Sequence, residues 1–207
     1  MPVKRAWSVD NVVNKKFFEI PLPEVWERFI GKPEASGVWI IWGESGSGKT
    51  ALTMAAAKIL AMIFKVAFDS LEMGTSKALY DAIIKYNMRE VKKNFLILDR
   101  ESIEDLKIRL RKKQAPRVVI IDSVQYADLT KSQYKALKEE FYNVLFIFIS
   151  HAEGKLPKGA LAGFIRYDAD IKIRVEGYKA FPVSRFGGGE PYIIWPEGAA
   201  QYWADIA

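Results

Sequence analysis

The chain has 207 residues, 50% hydrophobic and 27% charged, a profile that predicts one soluble globular domain with room for a sizeable core. It has no cysteine and one histidine, His151, which excludes disulfides, thiolate catalysis, Cys-ligated metal centres and multi-histidine metal sites. The net charge of +6 favours anionic partners without naming one.

Residues 1–36 read as an N-terminal lead-in, punctuated by Pro21, Pro23 and Pro33 around a short amphipathic segment, Val25 to Ile30. Residues 37–207 form the core. Gly37 to Trp42 reads as a buried strand. Lys49 to Phe64 is rich in Ala, Leu and Met and predicts a helix. Lys65 to Phe68 is a second strand, Thr75 to about Val91 a helix, and Phe95 to Leu98 a third strand. Glu101 to Lys113 opens on acidic and closes on basic residues, the charge order that complements a helix dipole. Val118 to Asp122 is a central strand, Ser132 to Tyr142 a helix, and Val144 to Ser150 another buried strand.

Strands alternating with helices imply right-handed crossovers and a mainly parallel sheet. Beyond residue 170 the pattern changes to short strands, Ile171 to Val175, Ala180 to Phe186 and Tyr192 to Trp195. Glu176-Gly177 and Gly187-Gly-Gly189 separate them, which predicts an antiparallel meander. The fold class is therefore α/β: a mainly parallel sheet flanked by helices, with a C-terminal antiparallel meander. No apolar run approaches the roughly 18 residues of a membrane span, and Met1 to Trp7 is unlike a secretory signal. A cytoplasmic location without membrane contact is the simplest expectation.

Gly43-Glu44-Ser45-Gly46-Ser47-Gly48-Lys49-Thr50 matches G-x-x-x-x-G-K-[ST] between a predicted strand and a predicted helix, the context that a phosphate-binding loop requires. Its glycines let successive N–H groups turn toward phosphate oxygens, and the helix start adds its positive dipole end. Lys49 is expected at the β- and γ-phosphates, and Thr50 at Mg²⁺. Asp122, ending a wholly apolar strand, sits where such folds carry a second acidic group for the metal. ATP and Mg²⁺ are the cofactors this combination calls for.

Several stretches resemble the RecA/RadA/DnaB/KaiC superfamily of oligomeric ATPases. Val119-Ile-Ile-Asp122-Ser123-Val-Gln125 is similar to the RadA second acidic motif, and Ser70-Leu71-Glu72-Met73 to the corresponding stretch of DnaB-type helicases. Ile149-Ser-His151, Gly154, Ala162-Gly163, Asp170 and Ser184-Arg185-Phe186-Gly187 follow in the RadA order. The resemblance spans roughly residues 37 to 195. It implies Glu72 as the carboxylate that orients or deprotonates the attacking water, with Asp69 as the rival residue. It also implies His151 as a γ-phosphate sensor and Arg185 as an arginine that reaches a neighbouring subunit's ATP, although the motif's Lys position is Val183.

Residues 152–163, with Lys155, Lys158 and two glycines, resemble the second DNA loop of RecA-like proteins, which implies DNA, single-stranded for preference, and a homo-oligomer. The basic run Lys107 to Lys113 reads as a solvated helix face rather than a DNA-facing patch, and Trp39, Trp42 and Trp195 read as core. Two other functions stay open: a KaiC-like regulatory ATPase with a protein partner, and a module that holds ATP and barely turns it over. A small-molecule kinase fits least, because no Arg-rich lid follows the central strands.

Overall fold

The computed structural model describes residues 6–204; the outermost residues of the lead-in and of the core segment lie outside that range. Two short helices, α1 (Val9–Val13) and α2 (Glu24–Ile30), precede β1 (Gly37–Gly43) and α3 (Lys49–Ala61). Then come β2 (Val66–Ser70), α4 (Lys77–Lys85), β3 (Phe95–Leu98), α5 (Ile103–Leu110), β4 (Val118–Asp122) and α6 (Lys131–Glu140). The chain continues through β5 (Leu145–Glu153), β6 (Leu156–Pro157), α7 (Ala160–Asp168), β7 (Ile171–Glu176), β8 (Lys179–Ser184), β9 (Tyr192–Ile193) and α8 (Pro196–Ala204).

The sheet runs in the order β3-β2-β4-β5-β1-β7-β8-β9, with β6 folded back on β5. From β3 to β7 every pairing is parallel, while β8 and β9 return antiparallel. This is the α/β architecture with a C-terminal meander that the sequence pattern implies. Side-chain alternation along each strand divides the core in two. Trp39, Ile41, Phe68 and Ile147 join α2, α3 and α4 on one face; Val38, Ile40, Ile121 and Phe148 join α5, α6 and α7 on the other. Residues 20–35 of the lead-in are packed into the first of these clusters through Ile20, Trp26, Phe29 and Ile30.

The local differences from the sequence expectations have local causes. The helix expected over residues 75–91 stops at Lys85, because Asn87 takes a left-handed conformation (φ 49°) before a 3₁₀ turn at Met88–Val91. The helix expected over residues 101–113 starts after Ser102, whose hydroxyl accepts the Asp105 N–H as an N-cap, and ends at Leu110. Within its basic run Lys107 pairs with Glu104, Arg109 with Glu101 and Arg111 with Glu140.

Residues 152–163 are not one open loop. β5 runs on to Glu153, Gly154 (φ 60°) turns the chain, β6 pairs back, and α7 starts at Ala160. The Trp42 indole N–H fastens this hairpin by donating to the Lys155 carbonyl at 3.2 Å. Helix α8 lies where the chain gave no expectation of one. Trp39 and Trp42 are buried, but Trp195 is not core: it is 49% exposed.

Candidate functional site

Parallel strands aim their C-terminal ends at one edge of the sheet, and most candidate residues collect there. β1 ends at Gly43, which is level with His151 of β5 and Val175 of β7. On the far side Ser70 of β2 is level with Asp122 of β4. The P-loop leaves β1 at Gly43 and enters α3 through Gly48, whose φ of 106° only glycine adopts comfortably. Gly43 has a second constraint: a Cβ there would lie 2.2 Å from the Val175 carbonyl oxygen.

The loop wraps around the Lys49 ammonium, which donates to the Gly43 and Glu44 carbonyls at 2.8 Å each. Among the described residues, the amides of Gly46, Gly48, Lys49 and Thr50 donate to no acceptor of the chain. Burial lowers the Lys49 pKa, opposed by the negative charges of Asp122, Glu72 and Glu44.

A cleft of about 560 Å³ opens in front of the loop. Ser45, Gly46, Gly48, Lys49 and Thr50 line it together with Glu72, Asp122 and His151. Burial, reinforced by Glu72, raises the Asp122 carboxyl to about 6, with Lys49 acting against the rise. Glu72 stands on the turn after β2, tethered to β4 by its own N–H, which donates to the Asp122 carbonyl at 3.0 Å. Its Oε2 lies 3.1 Å from His151 Nε2. The His151 backbone is fixed by Gln125, whose Oε1 accepts its N–H at 3.2 Å. The same Gln125 amide donates to Ser150 Oγ and to the Lys158 carbonyl, joining the cleft to the β5–β6 hairpin.

Asp69 and Arg185 stand apart from this group. Asp69 is wholly buried within β2, accepts the Glu101 N–H at 3.0 Å and does not line the cleft. Burial raises its carboxyl to about 7. Arg185 follows β8, whose last residue is level with the start of β7, so it lies at the opposite edge of the sheet from the P-loop. There it pairs with Asp170 at 3.0 Å.

The cleft also has walls that no sequence motif marked. Met73, Lys85 and Tyr86 line it on the α4 side; Tyr178, Ile194 and Trp195 line it on the meander side. Aromatic residues in a hairpin turn and at a strand end carry no motif, so only the fold brings them to the P-loop.

The residues present fit a nucleotide triphosphate and a divalent cation. The free amides at the helix start suit phosphate oxygens, and Thr50 and Asp122 could supply the hard oxygen donors that Mg²⁺ takes. Nothing else in the described chain satisfies those amides.

No family model matches the chain, and no curated protein matches it significantly. Solved structures do. The flagellar accessory protein FlaH from Methanocaldococcus jannaschii superposes with a TM-score of 0.61 at 18% identity, over 86% of this chain and 92% of its own. A KaiC-like protein from Pyrococcus horikoshii OT3 superposes with a TM-score of 0.57 at 18% identity, over 86% of this chain and 93% of its own. With its strand order, its Gly43–Thr50 loop between β1 and α3 and these structural neighbours, the chain has the RecA-like α/β fold.

Proposed function

We propose that this chain binds ATP with Mg²⁺ and hydrolyses it, with turnover governed by assembly with a partner. The observation that carries the reading is the convergence of free P-loop amides, Lys49, Thr50, Asp122, Glu72 and His151 on one cleft. Residues Gly43 to Thr50 would cradle the phosphates, with Lys49 at the β- and γ-phosphates. Mg²⁺, held by the Thr50 hydroxyl and Asp122, would neutralise charge on the phosphate oxygens.

Glu72 would take the proton from an attacking water as its oxygen bonds to the γ-phosphorus and the bond to the ADP oxygen breaks. His151, 3.1 Å away, holds that carboxylate in place and connects it through Gln125 to the hairpin. Arg185, far from the chain's own P-loop, would serve only a neighbouring copy. A cleft whose only described basic side chains are Lys49, Lys85 and His151 leaves room for an arginine supplied in trans.

A protein partner, including a second copy of the chain, is the partner class we favour. The region expected to form a DNA loop is a short hairpin pinned by Trp42 and followed directly by a helix. FlaH, named as a flagellar accessory protein, is compatible with a protein partner as well. The DNA-acting alternative, in recombination, repair or replication, keeps the support of the +6 charge and of Lys155 and Lys158, both exposed on the hairpin.

Steady-state ATP hydrolysis separates these readings when measured alone and with single-stranded or duplex DNA, using Lys49→Ala as the blank. Glu72→Gln should lower turnover by roughly a hundredfold or more while ATP still binds. No turnover above the blank under any condition, including high protein concentration, would leave a nucleotide-holding module in place of an ATPase. A several-fold rise with DNA would transfer the preference to the DNA-acting alternative.

A further inference from the structure

The edge of the sheet opposite the P-loop carries charge that the proposed ATP site does not use. β3, β2 and β4 are adjacent there and start level with one another, since Phe95 and Val118 both pair with Val66. The residues just before these starts therefore lie side by side. They include Lys92 and Lys93 before β3, Lys65 before β2, and Lys112, Lys113 and Arg117 before β4. Backbone bonds tie the three loops together. The Val66 N–H donates to the Asn94 carbonyl at 2.7 Å, and the Arg117 N–H donates to the Lys65 carbonyl at 2.9 Å. The Lys65 ammonium donates to the Gln114 carbonyl at 3.0 Å.

Among the described residues, none of these six cations takes part in an ion pair. Lys65 is half-buried and the other five are exposed. Carboxylates on the flanking elements are already occupied, Glu90 by Lys58 and Glu140 by Arg111. The basic run Lys107 to Lys113 is thus divided: Lys107, Arg109 and Arg111 are paired, while Lys112 and Lys113 stay open. With the six taken from the 31 Lys and Arg, the remainder equals the 25 Asp and Glu. The row is therefore as large as the whole net charge of +6.

What such a row can hold is set by its surroundings. Strand starts about 4.8 Å apart put several cations within reach of one polyanion. A protein interface needs a water-excluding apolar centre, and a membrane surface needs apolar side chains to insert. In these loops and the one before β5, the exposed large apolar residues are only Met62 and Tyr142, 63% and 79% exposed. Amides lie among the cations instead, at Asn94, Gln114 and Asn143. Tyr142 closes the row where β5 begins beside β4, and beyond it Glu139 and Asp170 turn the edge acidic. Unpaired cations, neutral amides and one open aromatic ring suit a phosphodiester backbone.

We propose that this edge binds the phosphate backbone of a polynucleotide without regard to base sequence. Lys65, Lys92, Lys93, Lys112, Lys113 and Arg117 are the phosphate contacts, and Tyr142 is a stacking ring for an unpaired base. The surface is separate from residues 152–163, whose hairpin follows the other end of β5. It does not rest on the ATP reading, because no residue of the row lines the cleft. Phosphate contacts release counterions, so affinity falls with salt by a logarithmic slope of about 0.7 to 0.9 per contact.

The test is the fluorescence anisotropy of labelled oligothymidylate and labelled duplex DNA with the full chain, without ATP, between about 50 and 200 mM salt. The variants are Lys112→Ala with Lys113→Ala, Lys92→Ala with Lys93→Ala, and Tyr142→Ala. Lys155→Ala with Lys158→Ala serves as the comparison on the hairpin, and thermal melts establish that each is folded. Each pair in the row should weaken binding to both DNAs about tenfold and lower the salt slope by about 1.5. Tyr142→Ala should weaken the single strand, by about fivefold or more. The hairpin pair should stay within twofold of wild type.

Absence of salt-dependent DNA binding by the wild type would overturn the proposal, as would unchanged affinity in both pairs of the row. A loss confined to the hairpin pair would overturn it too, by returning DNA to residues 152–163. Phosphatidylserine-containing vesicles and polyglutamate are the rival anions. If the wild type binds either more tightly than both DNAs, and the row variants lose that binding, the edge belongs to a membrane or an acidic protein instead.

Discussion

At the scale of single residues, the chemistry of this chain lies in carboxyl groups that the fold has partly withdrawn from water. Asp122 is raised to about 6 by burial and by the nearby Glu72 charge. It therefore carries a proton below that pH and offers a carboxylate to a cation only above it. The expected outcome is Mg²⁺-dependent nucleotide binding that fades as the pH falls through about 6; Asp122→Asn should bind Mg²⁺ poorly at every pH and lose the inflection. Titration of ATP affinity from pH 5 to 8, with and without Mg²⁺, checks it.

Asp69 makes the same physics a matter of stability. Its folded carboxyl stays protonated to about 7, whereas its ordinary value is 3.8. Between those values the folded state binds more protons than the unfolded one, so stability falls as the pH rises through that window and levels off above it. Asp69→Asn mimics the protonated form and should remove that part of the slope, of the order of a few kcal/mol. Urea midpoints of both proteins at pH 5 and pH 8 provide the measurement. The sequence offered Asp69 and Glu72 as rivals because both follow the apolar run of β2. Only the sheet register, which buries one and leaves the other in the cleft, separates them.

At the scale of elements, the joints matter more than the strands. The central strands were legible because a parallel strand covered on both faces is a nearly unbroken apolar run, as in Val118 to Ile121 and Leu145 to Ile149. The P-loop was legible because the phosphate site requires glycine at fixed spacing. Helices α7 and α8 were not. α7 carries glycine in its middle and begins after Gly159, and α8 begins on Pro196-Glu-Gly198, so both start on residues that usually signal loops.

The joint between α2 and the meander is the most sensitive. Gly31 ends α2 with a φ of 77°, and a Cβ there would lie 2.0 Å from the Phe186 carbonyl oxygen. Gly31→Ala should therefore cost more than about 2 kcal/mol, by adding a backbone collision to an unfavourable left-handed alanine. A lowered urea midpoint with a native-like circular dichroism spectrum is the expected readout; unchanged stability would mean that this joint yields easily.

At the scale of the whole molecule, the two edges of the sheet divide the work. The C-terminal edge gathers the P-loop, Glu72, Asp122 and His151 in one chain, while Arg185 sits on the opposite edge in a pair with Asp170. If Arg185 completes a neighbour's site, Arg185→Ala should leave nucleotide affinity within twofold of wild type. It should also abolish any rise of specific ATPase activity with protein concentration. Specific activity across a hundredfold range of protein concentration, read beside sedimentation, decides it; the same concentration dependence in both proteins would remove Arg185 from the chemistry.

By itself the sequence determined the parallel α/β sheet, the phosphate loop and the candidate metal carboxylate, because each rests on a local rule: burial makes a strand apolar, and a tight anion cradle demands glycine. Only the tertiary structure decided that Glu72 rather than Asp69 faces the cleft, that residues 152–163 form a hairpin and a helix start, and that Trp195 leaves the core for the wall of the site. Those outcomes depend on strand register and on contacts between residues such as Trp42 and Lys155, or Trp203 and Gly177, which are far apart in the chain. No local pattern of residues records such meetings, because the energy that selects them arises only when distant segments pack together.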